Sequence, residues 1–145
     1  MEYCSPVSAP VYKTDIKRLE SVQRRFTKQL DDLNHMSYEH RLETLCAESL
    51  ELRGLKLDLT MMYKISRSIV AIDDSFFSFT INSQTRGKLK VFKPQCANNA
   101  RTFSFSRRRV NCWNSLPDTV RCALSLYSLK SLVNDCDFVA VLEFN

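Results

Sequence analysis

The sequence predicts a mainly α domain, a small irregular bundle of four to six helices with a short β-hairpin or extended arm near residues 87–93. Three observations lead there. Apolar residues recur at three- and four-residue steps through most of the first 70 positions, the spacing that gathers them on one face of a helix. Hydrophobic residues make up 44% of the 145-residue chain, enough for an ordinary core, and charged residues make up 26%. Only two glycines and four prolines are present, which excludes a flexible linker protein. Residues 1–136 are expected to form one domain, with 137–145 an apolar tail of no assigned place.

The first helix is expected to start at Thr14 as N-cap, with Asp15 in the first turn suiting the helix dipole. Ile16, Leu19, Gln23, Phe26, Leu30 and Leu33 then mark one face of a helix of about 19 residues. Lys17, Arg18, Arg24, Arg25 and Lys28 fall on the opposite face at about 100° per residue. The first face is read as core and the second as a basic stripe. A solvated charged face is the usual fate of such residues, and phosphate contact is the functional alternative.

Ser37 is expected to cap a short second helix through about Cys46, with Tyr38, Leu42 and Leu45 on its apolar side. Ser49 opens a third, where Leu52, Leu55, Leu59, Met62, Ile65 and Ile69 form the main stripe. Leu50, Leu57 and Met61 add apolar surface elsewhere around it, so this helix should be central. Lys88 to Phe92 alternates polar and apolar, as a short strand does. Phe103, Val110 and Trp113 are spaced for one face of a helix that Pro117 stops. Within it Trp113 is read as a buried anchor, with base stacking as the alternative. A last helix is placed from Ser125 to about Asp135, using Leu126, Leu129, Leu132 and Val133.

Charge is distributed unevenly. Residues 75–117 hold eight Lys or Arg and no Asp or Glu, and the segments 1–74, 75–117 and 118–145 carry −1, +8 and −2 of the formal net charge of +5. Phe92, Phe103, Phe105 and Trp113 are interleaved with these bases. Lys and Arg release counterions from phosphates while rings stack on bases, so such a surface suits an RNA or DNA backbone. A basic loop region whose aromatics are simply core accounts for the same pattern. The candidate nucleic-acid contacts are Lys17, Arg18, Arg24, Arg25 and Lys28 in the first helix. Arg86, Lys88, Lys90, Lys93, Arg107, Arg108 and Arg109 extend the set into the acid-free stretch.

Several chemistries lack their residues. The six cysteines are separated by 42, 50, 16, 10 and 14 positions, with no Cys-x-x-Cys, and His35 and His40 lie far from any such pair. Free thiols are therefore expected, with no metal and no cofactor. Two glycines could hardly build a phosphate loop or a nucleophile elbow. Asp31-Asp32 and Asp73-Asp74 sit at expected helix ends, where a cap or turn explains them. No apolar run approaches the ~20 residues of a membrane span, and the first residues lack a signal-peptide pattern. The expectation is an intracellular protein, in nucleus or cytoplasm. It should have no membrane partner, no small-molecule substrate and no catalytic residue.

Three N-terminal blocks carry a family resemblance: Glu2-Tyr-Cys-Ser-Pro-Val7, Lys13-Thr-Asp-Ile-Lys-Arg-Leu-Glu-Ser-Val-Gln-Arg-Arg-Phe-Thr-Lys28 and Ser37-Tyr-Glu-His-Arg-Leu42. The register continues through Ser49-Leu-Glu-Leu-Arg53, Asp58-Leu59, Met62-Tyr-Lys-Ile65, Thr85-Arg-Gly87, Val91-Phe-Lys-Pro94 and Val110-Asn-Cys-Trp-Asn-Ser-Leu-Pro117. In this order the blocks resemble the segment that follows the polymerase core in LINE-type (non-LTR) retrotransposon reverse transcriptases, from about residue 2 to 133. Departures are Ser8 where the family usually has Trp, Gly54 for a helix former, Lys88 for a frequent His, and the tail after Cys136. The resemblance implies a C-terminal, thumb-adjacent piece of an RNA-directed DNA polymerase. Its catalytic Tyr-x-Asp-Asp motif and endonuclease would lie upstream of Met1, and Mg²⁺ would belong to that parent alone. The implied partners are the RNA or DNA backbone and the parent's polymerase core. A structural module that buttresses the core without touching nucleic acid is the competing reading.

Overall fold

The computed structural model describes residues 10, 12–71, 77–80, 89–93 and 104–138. Within them the chain is mainly helical: α1 (Lys13–Lys28), α2 (Tyr38–Thr44), α3 (Leu50–Ser66), α4 (Phe105–Arg108), α5 (Val110–Ser115), α6 (Asp118–Arg121) and α7 (Leu126–Asn134). Two strands, β1 (Phe79–Thr80) and β2 (Lys90–Val91), pair antiparallel with Phe79 opposite Val91 and Thr80 opposite Lys90. The strand expected within Lys88–Phe92 is thus one arm of a two-stranded ribbon. Phe103 and the pair Asp73-Asp74 lie outside the described residues.

Serine caps set the starts of three helices. Ser37 accepts from the His40 amide, Ser49 from the Leu52 amide and Ser125 from the Ser128 amide, each satisfying a donor that the helix leaves open. α1 departs from expectation. It begins at Lys13 with Tyr12 as N-cap and no side-chain cap, so Thr14 lies inside the first turn. It also stops at Lys28 instead of reaching Leu33. Carboxylates oppose the dipole at a helix C-terminus, and Asp32 takes a left-handed φ of 67° in the turns that follow Asp31.

α2 and α3 both close in the same way. The Ala47 amide reaches the Leu42 carbonyl at 2.8 Å and the Cys46 amide the Glu43 carbonyl at 3.0 Å. After α3, the Ile69 and Ser68 amides reach the Lys64 and Ile65 carbonyls, each at 2.9 Å. These are Schellman closures, which need a left-handed residue and usually use glycine. Here Cys46 (φ 48°) and Ser68 (φ 53°) fill the position.

α3 is central, as its apolar girth implies. Leu55, Leu59, Met62 and Tyr63 are buried against Val91, Val110, Cys112, Trp113, Leu116, Val120, Leu129 and Val133. Trp113 is fully buried, and its indole N–H donates to the Leu89 carbonyl at 2.8 Å. Asn114 extends this grip: its amide group donates to the Val91 carbonyl and accepts from the Val91 amide, both at 2.9 Å. A side chain thereby supplies what a third strand would. Leu116 turns extended before Pro117, which ends α5 as the sequence requires. α6 was not anticipated. Arg121 holds its turn, donating to the Asn114 carbonyl at 2.9 Å and also to the Leu116 carbonyl and Asp118.

Phe138, assigned by sequence to the apolar tail, is buried in this core, and residues 139–145 lie outside the described set. Cys46, Cys112, Cys122 and Cys136 are free thiols. Burial pushes the Cys112 thiol up to about 11, and the same cause raises Cys136. Among the described residues no helix is long and apolar enough to cross a membrane.

Candidate nucleic-acid interface

α1 is a helix with three faces. Glu20, Gln23 and Thr27 face the rest of the molecule. The Glu20 carboxylate accepts from the Tyr38 hydroxyl and, at 3.0 Å, from the Leu50 amide at the start of α3. Gln23 donates to the Glu48 carbonyl at 2.9 Å, and Thr27 is buried beside Arg41. Arg41, also buried, donates to Thr27, to the Met36 carbonyl at 2.6 Å and to the Arg24 carbonyl at 3.3 Å. Burial and the Glu20 hydrogen bond raise the Tyr38 phenol well above its ordinary range, so it stays a donor.

This docking rotates the helix away from the expected arrangement. Of the row expected to be core, Leu19 and Phe26 are exposed, as is Val22 between them, while Gln23 docks and Leu33 is buried. At 100° per residue Leu19, Val22 and Phe26 lie about 100° round the helix from the docked row. The mixed row Glu20, Gln23 and Thr27 docks instead because its partners are polar: the Glu48 carbonyl, the Tyr38 phenol, the Arg41 guanidinium and the N-terminus of α3.

The five candidate bases of α1 are all exposed on the third face. Lys17, Arg18, Arg25 and Lys28 line it. Arg24 sits at its edge, with the guanidinium 4.6 Å from the centre of the Tyr38 ring. Arg18 reaches Asp15 at 3.4 Å across water-exposed surface, a pair worth under about 1 kcal/mol. Arg25 and Lys28 also occupy the last turn, where the dipole favours cations.

The acid-free stretch behaves differently. Arg86 and Lys88 lie outside the described residues. Lys93 is exposed, with its ammonium 3.4 Å from the Asn111 side-chain oxygen, and Lys90 is half-buried on β2. Arg107 is half-buried in α4. Arg108 and Arg109 turn inward onto Asp58, a fully buried carboxylate on α3. Arg108 grips both oxygens, at 2.9 and 3.1 Å, and Arg109 donates to one at 3.0 Å. Their side chains keep only 11% and 13% of their exposure. Two of the expected phosphate contacts are therefore committed to an internal ion cluster. The reason is the cost of burying a carboxylate without partners.

Asp58 itself was a residue that sequence reasoning passed over. Its position was the signal: it stands among Leu55, Leu59 and Met62 on the buried face of α3, where a lone carboxylate demands cations. A second feature lies between α3 and α7. A cleft of about 210 Å³ is lined by Leu57 and Val133 together with Glu48, Arg53, Lys56, Thr60, Lys130 and Asn134. Lys56 spans it, pairing with Glu48 and donating to Asn134 at 2.8 Å. Among the described residues no three His, Cys, Asp or Glu side chains converge as a metal site would need.

Comparisons with protein families, with curated proteins and with solved structures return no match.

Proposed function

We propose that the chain is the non-catalytic C-terminal piece of an RNA-directed DNA polymerase of the non-LTR retrotransposon type. In this reading it grips RNA or DNA through the sugar–phosphate backbone. The reading joins the resemblance of residues 2–133 to one observation: α1 holds Lys17, Arg18, Arg25 and Lys28 on one exposed face. Cations without a base-reading motif make phosphate contacts that position nucleic acid and do not select its sequence. Polymerase chemistry, with its Mg²⁺, would belong to the parent's upstream Tyr-x-Asp-Asp region. The second reading, a module that buttresses the polymerase core and touches no nucleic acid, draws on the inward turn of Arg108 and Arg109.

Titrating a fluorescent RNA–DNA hybrid from low to physiological salt separates the two. Affinity should fall with salt, and converting Lys17, Arg18, Arg25 and Lys28 to Gln should flatten the log–log slope by about 0.7–0.9 per lost phosphate contact. Binding that ignores salt, or that survives all four substitutions unchanged, leaves only the buttress reading.

A further inference from the structure

The apolar row of α1 has a pattern that its own fold does not use. Leu19, Val22 and Phe26 follow the three-then-four spacing of a coiled-coil seam, a row about 10 Å long at 1.5 Å per residue. Val22 is 49% exposed and Phe26 62%, although the helix is already pinned on another side by Glu20, Gln23 and Thr27. In heptad terms Leu19 and Phe26 are a positions and Val22 is d. Arg18 and Arg25 then fall at g, the flank that selects a partner by charge. Asp15 ends the row at the preceding d position, where it meets Arg18. Gln23, at e, is bonded to the Glu48 carbonyl. One flank of the seam is thus occupied, and the open flank is cationic.

We infer that α1 is a docking helix for an α-helix of another polypeptide, one with an apolar a/d seam and carboxylates along the edge that meets Arg18 and Arg25. Charge decides this occupant. A second copy of the chain paired antiparallel would bring the same two arginines to the same seam, a like-charge juxtaposition. The narrow row suits a helix seam better than a lipid surface, which takes a broad apolar arc. The inference shares Arg18 and Arg25 with the proposed phosphate contact, which also uses Lys17 and Lys28, and it differs in resting on Leu19, Val22 and Phe26.

The test uses the full chain and two labelled 21-residue helical peptides with Leu at a and d, one flanked by Glu and the other by Lys. Fluorescence anisotropy at physiological salt should show the Glu peptide binding at least about tenfold more tightly. Leu19→Ser with Phe26→Ser should abolish that binding while leaving the melting temperature and the affinity for the RNA–DNA hybrid unchanged. Arg18→Glu with Arg25→Glu should reverse the preference toward the Lys peptide. Equal binding of both peptides, binding of neither, or binding that survives the serine pair overturns the inference. So does a dimer in sedimentation that the serine pair dissolves, or serine-sensitive uptake onto phosphatidylserine–phosphatidylcholine vesicles.

Discussion

α1 and α2 are held to each other and to the start of α3 by Arg41, Glu20, Gln23, Thr27 and Tyr38. α3, the β-ribbon, α5 and α7 are held by Leu55, Leu59, Met62, Val91, Trp113 and Leu129. The first region is fastened mainly by polar side chains reaching backbone groups, and it leaves Leu19, Val22 and Phe26 in water. The second closes an apolar core and keeps its one carboxylate, Asp58, satisfied by two arginines. Hydrogen bonds contribute about 0.5–1.5 kcal/mol each because water competes for the same groups. Burial of large apolar side chains contributes about 1.5–3 kcal/mol apiece. The comparison teaches that the surface available to partners belongs to the weaker-held region, which should open locally while the core stays shut.

The largest effect that probes this contrast is Trp113→Ala. It empties the centre of the core and removes the bond that holds Leu89, so urea unfolding should show a loss of about 3–5 kcal/mol. A loss under about 1 kcal/mol would mean that the apolar region is not what holds the fold. Next comes Arg41→Ala, which deletes donors to Thr27, Met36 and Arg24. It should cost about 1–3 kcal/mol, read by native-state hydrogen exchange as faster exchange in 13–28 and 38–44 alone. Equal acceleration in α7 would erase the distinction between the regions. The smallest is Gly54→Ala in α3, where an added Cβ meets nothing within 4 Å. Helix propensity should raise stability by up to about 1 kcal/mol. The gain should appear as slower exchange in α3 and α7 while the opening of α1 and α2 is unchanged.

How much was legible in the sequence depended on the range of the interaction. Ser37, Ser49 and Ser125 cap the helices they were expected to cap, and Pro117 stops α5, because a cap or a proline acts within a few residues. The central role of α3 followed from its apolar girth, and the burial of Trp113 from its spacing with Val110. The end of α1 was misplaced because periodicity continued through Leu30 and Leu33 after the helix had ended at Lys28. Leu33 is buried all the same, from a turn and not from a helix.

By itself, then, the sequence determined the helical class, the starts of three helices, the stop at Pro117 and the basic stripe of α1, since each rests on residues within one or two turns of one another. Only the tertiary structure decided which face of α1 docks and which bases remain at the surface. Those outcomes depend on groups distant in sequence: Tyr38, Arg41 and Glu48 turn α1 onto its mixed polar face, and Asp58 draws Arg108 and Arg109 across 50 and 51 residues. Periodicity reports where apolar side chains cluster on a helix. It does not report whether the rest of the chain offers them an apolar partner, and for α1 the partners on offer were polar.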